Sequence, residues 1–299
     1  MGYLHINNLY RDQIILLFKE CYALEKIHGT SAHLRFKPVI DSGTGSLSRI
    51  DIDFFSGGTK HETFVKLFCQ EALIEAFKST GITDRNVTVY GESYGGKEQG
   101  MSATYGSVGK FVVFDVQVGD VWLDVPKAES FAKTLGLEFV YYTKISTDLA
   151  ALDAARDADS VQAIRNGVGA GKKMEGVVLR PLVELTLNNG SRVIVKHKRD
   201  EFRETATVRK VEDPAKLKVL SEATAVANEW VTEMRLEHVL QKMPDHDISK
   251  MREIIAAMTE DVLREGSTEI VDSPEVRKAI SQKTAVLYKA RLQKKLNNP

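Results

Sequence analysis

The chain has 299 residues, with 41 basic and 41 acidic side chains and a hydrophobic fraction of 43%. That length allows one large domain with a smaller one, and the balance of apolar and charged residues excludes a disordered chain. A formal net charge of zero speaks against a protein that only coats nucleic acid, though not against an enzyme with a local basic groove. No apolar run approaches the ~18 residues of a membrane span, and the N-terminus lacks the basic-then-apolar pattern of an export signal. No membrane partner is expected. Cys21 and Cys69 form neither a disulfide framework nor a metal-binding spacing, so they read as thiols in a reducing compartment.

In chain order, β-like runs fall at Ala32–Phe36, Thr88–Tyr90 and Lys110–Val118, and later at Gly176–Arg180, Val183–Leu187 and Arg192–His197. Thr59 to Ser79 carries Phe64, Leu67, Phe68, Leu73, Ile74 and Phe77 at helical spacing, with Gly81 as a stop. Asn188-Asn189-Gly190 separates two runs rich in β-branched residues, the pattern of a hairpin turn. After Pro214 the period changes. Leu217, Leu220, Ala227, Trp230 and Met234 recur at helical spacing, as do Met251, Ile254, Ile255, Met258 and Val262, and then Val276, Ala279, Ile280 and Leu287. Pro244 and Ser273-Pro274 punctuate three helices, with Pro274 suited to a first helical position. The fold class expected is α+β, residues 1–212, followed by a small all-α domain, residues 213–299. The latter carries 14 basic and 14 acidic residues, so it is neutral as well, and its apolar stripes read as its own core.

Five segments carry chemistry together that none carries alone. Glu25-Lys26-Ile27-His28-Gly29-Thr30 puts a lysine on a tight turn, where glycine leaves room for a phosphate. Gly91-Glu92 follows a β-run, and Phe111-Val112-Val113-Phe114-Asp115-Val116 forms another. Glu175-Gly176-Val177-Val178-Leu179 comes next. In the last, Arg192 to Lys198, alternation puts Ile194, Lys196 and Lys198 on one face, the two lysines ~7 Å apart.

In this order and spacing the segments resemble the covalent nucleotidyltransferase superfamily of DNA ligases, RNA ligases and capping enzymes. Residues of about 20 to 200 look most like the type-2, nick-sealing, ATP-dependent RNA ligases. The resemblance implies an ATP-grasp-like ligase domain of packed antiparallel sheets with helices. It implies that Lys26 attacks the α-phosphate of ATP and holds AMP, that Glu92 binds the ribose, and that Phe114 stacks on adenine. Glu175 then lies near a Mg²⁺ or Mn²⁺ and the lysine. Lys196 and Lys198 contact phosphate, and Glu25 and Ile27 border the nucleotide, Glu25 through its backbone. The implied substrate is RNA, as a nicked duplex or as free ends, with an RNA/DNA hybrid as a variant. The expected enzyme is a cytoplasmic monomer (host cytoplasm for a phage-encoded chain).

The residue types suit that chemistry. An ordinary lysine, with a pKa of ~10.4, is protonated at neutral pH and cannot attack phosphorus. Neighbouring cations favour the neutral amine and also neutralise charge on a transferring phosphoryl group. A carboxylate such as Glu175 is a hard oxygen donor for Mg²⁺. His28 and His33 read as structural or substrate-adjacent groups, and no His/Cys cluster suggests zinc.

Two features depart from the family pattern. Relatives carry an arginine between the nucleophile and the Glu92 segment, where this chain has Phe55-Ser56-Gly57-Gly58-Thr59-Lys60. Lys60, Lys97 and Arg49 are the candidates to replace it. Gly91 to Gly100 is glycine-rich without a phosphate-loop spacing and reads as a flexible substrate-side loop. The alternatives are a DNA ligase or capping-type enzyme, which usually continue into a β-barrel, and a non-catalytic RNA-end-binding protein on the same fold.

Overall fold

The computed structural model describes residues 2–204, 223–243 and 246–297. Contacts divide the chain into two units, Met1–Asn8 with Ile14–His197 and Leu9–Gln13 with Lys198–Pro299. The boundary expected between residues 212 and 213 lies outside the described residues, as do Pro214, Leu217, Leu220 and Pro244.

The first unit opens with β1 (Asn7–Asn8), β2 (Glu20–Lys26), β3 (Thr30–Ile40) and β4 (Leu47–Ser56), then α1 (His61–Val65) and α2 (Gln70–Lys78). It continues through β5 (Val87–Tyr94), α3 (Ser102–Tyr105), β6 (Lys110–Val118), β7 (Val121–Trp122) and α4 (Val125–Thr134). The closing elements are β8 (Tyr142–Ser146), α5 (Leu149–Arg156), α6 (Val161–Arg165), β9 (Gly176–Pro181) and β10 (Val195–Lys198). The strands form two five-stranded sheets, ordered β1-β10-β9-β2-β8 and β4-β3-β5-β6-β7. The second is antiparallel throughout, while β1 joins the first in parallel with β10.

One apolar core serves both sheets and the helices. Leu24 and Ile27 from the β2 end share it with Leu34, Phe36, Val89, Val112 and Val116, and with Phe64, Phe77 and Ala128 from the helices. Alternation along β3 selects the buried face: Ala32, Leu34 and Phe36 point into the core, where Phe36 stacks on Phe77 at 4.5 Å. The opposite face carries His33, directly across from Tyr90, which is itself across from Asp115.

On that face lies a buried ion cluster. Asp115, fully buried, accepts from Arg180 Nη1 at 3.0 Å, Arg192 Nη1 at 2.7 Å and the Tyr3 hydroxyl at 2.6 Å. Glu184 receives the other sides of both guanidiniums, each at 2.6 Å. Arg192 also lies over the Trp122 ring, 4.0 Å from its centre. The cluster ties β6 of one sheet to β9 of the other. Burial, and then the Asp115 charge, push the Tyr3 phenol well above its ordinary pKa, which keeps it a donor.

Two expectations are revised here. The stretch Thr59 to Ser79 is two helices, broken at Lys66–Cys69, because Phe68 turns in to pack within 5.5 Å of the Phe54, Phe64 and Phe111 rings. The chain does reverse at Asn188 to Gly190, with Gly190 at φ +83° and the Leu187 amide on the Ser191 carbonyl at 2.7 Å. The ladder beside it, however, is the single bridge Thr186–Arg192. Arg192 is drawn into the ion cluster, so the regular strand begins only at Val195.

The second unit contains α7 (Ala223–Trp230), α8 (Glu233–Gln241), α9 (Met251–Glu265) and α10 (Pro274–Asn297). Trp230, Leu236, Val239, Ile254, Met258, Val262, Ile280 and Tyr288 form its core. The run expected to stay helical to Met234 restarts at Thr232, whose hydroxyl caps α8 by accepting from the Arg235 amide at 3.3 Å. Pro274 does occupy the first position of α10.

Asp115→Asn removes the charge that both guanidiniums share. We expect a loss of about 3–5 kcal/mol of unfolding free energy, the usual cost of uncompensating a buried ion pair, read from urea denaturation.

Candidate active site

Lys26 is the last residue of β2, and its strand partner is Gly176, the first residue of β9. Glu175, just before β9, is therefore delivered to Lys26 by sheet register. Lys26 Nζ donates to Glu175 Oε2 at 2.8 Å, and His28 Nδ1 lies 3.1 Å from the same oxygen. The Glu175 amide also donates to the Lys26 carbonyl at 3.3 Å. Glu175 is buried, with 2% of its side chain exposed, while the Lys26 side chain is 23% exposed. The amine is thus the more accessible partner of the pair.

Gly29 closes the turn and couples it to the other sheet. Its amide donates to Glu92 Oε1 at 3.1 Å, and its carbonyl accepts from Gln99 Nε2 at 3.2 Å. A Cβ at Gly29 would sit 2.4 Å from the Ser93 carbonyl oxygen, so only glycine lets the turn lie this close to β5. Lys26, Glu175 and Glu92 are thus brought together through backbone geometry.

The remaining expected residues take up different positions. Phe114 is the extra residue of a β-bulge: β5 and β6 slip register between Tyr90 and Gly91, so Asp115 and Val113 have partners and Phe114 has none. The bulge directs its half-buried ring onto Tyr3, with centroids 4.9 Å apart. Ile27 is buried in the core. The Glu25 amide donates to the Tyr141 carbonyl at 2.8 Å. Its carboxylate caps α6, accepting from the amides of Val161 and Gln162, both at 3.1 Å, and from the Ser160 hydroxyl. Burial raises the Glu25 pKa, and the cap hydrogen bonds pull it back.

Lys196 lies on β10, two strands from Lys26 and so about 10 Å across the sheet. Lys198, on the same strand, falls in the second unit. There its amine pairs with Glu204, which also meets Arg235 at 3.5 Å and His238 at 3.2 Å. Burial alone would raise the Glu204 pKa, but Lys198, His238 and Arg235 hold it well below the ordinary value.

In the stretch lacking the family arginine, Thr59 joins the Ser93 hydroxyl at 2.8 Å and Glu98 at 2.9 Å. Arg49 is exposed and pairs with Asp51 at 2.9 Å, and Lys60 and Lys97 are exposed. Sequence reasoning missed Gln99, which bonds the nucleophile's turn; its only sequence signal is its place in the glycine-rich loop. His33 stacks on Phe55 at 5.0 Å. Burial, then Arg35, lowers its pKa to about 4.

No group of three or more His, Cys, Asp or Glu side chains among the described residues is placed to hold a metal. Mg²⁺ asks for less: one or two carboxylates, with phosphate oxygens and water completing the shell. The buried Glu175 carboxylate beside the Lys26 amine fits that requirement. No helix among the described residues is long and apolar enough to cross a membrane.

A family profile described as RNA ligase matches residues 19–198. Among solved structures, the chain is similar to a Naegleria gruberi RNA ligase. A variant with ATP and Mn aligns at 15% identity and TM-score 0.47, over 68% of this chain and 56% of that one. A variant with AMP and Mn gives 15% and 0.48, over 68% and 57%. The complex with PPi gives 14% and 0.47, again over 68% and 57%. The chain therefore spans little more than half the length of that relative.

Two outcomes follow from this geometry. Gly29→Ala forces β5 and the nucleophile's turn apart, and we expect a loss of about 1–3 kcal/mol in urea unfolding, as for other overpacked sites. His33 stays neutral in the folded chain down to about pH 4, whereas the unfolded chain takes up that proton near pH 6.5. Stability therefore falls as pH drops through this window. A His33→Phe variant flattens the slope when unfolding is measured between pH 7 and 4.

Proposed function

The chain belongs to the RNA ligase family, and from that premise we propose that it is an ATP-dependent polynucleotide ligase of the type-2, nick-sealing kind, with RNA as its substrate. The observation that carries the proposal is the half-buried Lys26 amine set 2.8 Å from the buried Glu175 carboxylate, on a turn pinned by Glu92. Strand pairing holds Glu175 beside the amine, where the carboxylate can orient a nucleophile.

The reaction has three steps. Lys26 Nζ, once deprotonated, attacks the α-phosphorus of ATP; an N–P bond forms and pyrophosphate leaves. A 5′-phosphate oxygen then attacks the same phosphorus, breaking the N–P bond and returning the amine. Finally a 3′-OH attacks the adenylylated 5′-phosphate, forming the phosphodiester and releasing AMP. Glu175 orients the amine and accepts its hydrogen bond, and Glu92 offers a carboxylate on the nucleotide side of the turn. Lys196 places a cation on the same sheet, where it can balance phosphate charge. A divalent cation held by Glu175 would neutralise charge on the triphosphate. Phe114, re-aimed by its bulge, presents an aromatic face for a base, and Glu25 and Ile27 serve the nucleotide indirectly by holding the end of β2. The domain reading is an adenylyltransferase domain, residues 1–212, with a helical domain, 213–299, that contributes to RNA binding. The helical unit after β10, where DNA ligases and capping enzymes usually have a barrel, favours RNA over the DNA-ligase and capping alternatives.

The test is incubation with α-labelled ATP or GTP and Mg²⁺, followed by a denaturing gel. Label from ATP stays on the wild-type protein and is lost by at least 10³-fold in Lys26→Ala, as for removal of any covalent nucleophile. Label from GTP alone would move the chain to capping-type chemistry. No label, from folded protein that is not already adenylylated, would leave an RNA-end-binding protein.

A further inference from the structure

Gln99 sits in the glycine-rich loop that leaves β5, in a short 3-10 turn, Glu98–Gly100. Its φ is +52°, and it is the one non-glycine residue with positive φ among the described residues. The neighbouring loop glycines Gly95, Gly96 and Gly100 take the same region at φ +77°, +58° and +68°, where they meet no Cβ penalty. A glutamine there is strained, and such strain persists only where the surroundings impose it.

The surroundings are specific. Glu98, one residue earlier, is anchored through its carboxylate to the Thr59 hydroxyl at 2.9 Å. The Gln99 amide then reaches the Gly29 carbonyl at 3.2 Å. That bond fixes the amide's orientation and leaves Gln99 Oε1 buried with no hydrogen-bond partner among the described residues. A buried unsatisfied oxygen is itself unfavourable. The residue is thus locally costly twice, once in backbone and once in side chain.

What it gains is the last restraint on the nucleophile's turn. The His28 amide faces the Tyr105 hydroxyl at 3.4 Å, the Gly29 amide is on Glu92, and the Lys26 carbonyl is on the Glu175 amide. The Gly29 carbonyl is the group that Gln99 holds. Both sides of the Gly29 residue are then clamped, one by Glu92 and the other by Gln99.

We propose that Gln99 is a positioning residue for nucleotidyl transfer, whose amide holds the Gly29 carbonyl and so fixes the turn that carries Lys26 and orients Glu92. The inference rests on Lys26 being the amine that takes the nucleotidyl group. It separates positioning from stability: the residue is unfavourable for the fold and favourable for the turn. Because the offset of a reacting group by a fraction of its bond length is costly in rate, loosening the turn slows transfer more than it weakens nucleotide binding.

The test compares wild type with Gln99→Gly, which relaxes the backbone, and Gln99→Asn, which tolerates positive φ but is one methylene too short to reach. Three quantities are measured: thermal stability, the rate of single-turnover labelling from α-labelled ATP as a function of its concentration, and hydrogen exchange over residues 27–31. Gln99→Gly should be at least as stable as wild type. In both variants we expect the saturating labelling rate to fall by about tenfold or more, with a smaller shift in half-saturating ATP and faster exchange in the turn. A variant that labels at the wild-type rate overturns the inference, and so does a rate loss that tracks a fall in stability. Should wild type take no label, the ligase reading fails separately. The clamp is then judged by exchange alone, and unchanged exchange over residues 27–31 overturns it.

Discussion

Asp115 accepts from Arg180 and Arg192 across the space between the sheets, at 3.0 and 2.7 Å, and the rest of the first unit is arranged around that contact. Arg180 lies on β9 a few residues beyond Glu175, while Asp115 lies on β6, which pairs with the β5 strand that carries Glu92. Fixing Asp115 against Arg180 therefore fixes how far Glu175 and Lys26 stand from Glu92. An apolar contact of the same area would hold the sheets together without specifying their offset. Desolvating four charges offsets much of the Coulombic gain, so the cluster contributes more to geometric definition than to net stability. Tyr3 and Trp122 complete it by supplying a phenol donor and a ring face to groups that water would otherwise reach.

From that frame, the nucleophile's setting becomes a problem of charge. The Lys26 amine is hydrogen-bonded to the Glu175 carboxylate, whereas attack on phosphorus needs a free lone pair. On the proposed reading this is a resting arrangement, in which the amine is held in place. A triphosphate and its cation beside Glu175 would then compete for the carboxylate that holds it. His28 shares Glu175 Oε2 with the lysine, so the carboxylate keeps a hydrogen-bond donor when the amine loses its proton. Strand register makes this possible, because Lys26 and Gly176 are direct partners.

How much of this could be read from the sequence depends on what each residue's role rests upon. Lys26, Glu92 and Glu175 were grouped by type, order and spacing, and strand register with the Gly29 turn places them in one neighbourhood. The strands Lys110–Val118 and Gly176 onward were legible from β-branched runs, and Pro274 marked the start of its helix. The break between α1 and α2 was not, since Phe68 fits a helical stripe and leaves it only because three aromatic rings await it. The start of β10 was hidden for a similar reason: Arg192 looks like a strand residue until Asp115 claims its side chain. Glu25 illustrates the limit best. Its expected nucleotide contact runs through the backbone, while its side chain caps α6, a partnership across more than a hundred residues that no local pattern reveals. Gln99 was illegible as well, because positive φ at a non-glycine residue leaves no mark in composition or period.

Lys198 shows how a single strand can serve two masters. Alternation places it on the face of Lys196, and chemistry suggests a pair of phosphate contacts. Its amine is instead engaged by Glu204, within a buried cluster where Arg235 also pairs with Asp261 at 2.6 Å. Lys198, then His238 and Arg235, hold the Glu204 carboxyl well below the ordinary glutamate range against the effect of burial. Removing one of them leaves two, so Glu204 can release Lys198 without becoming an unpaired buried charge. Substituting Lys198 therefore removes one ion pair of a larger buried cluster.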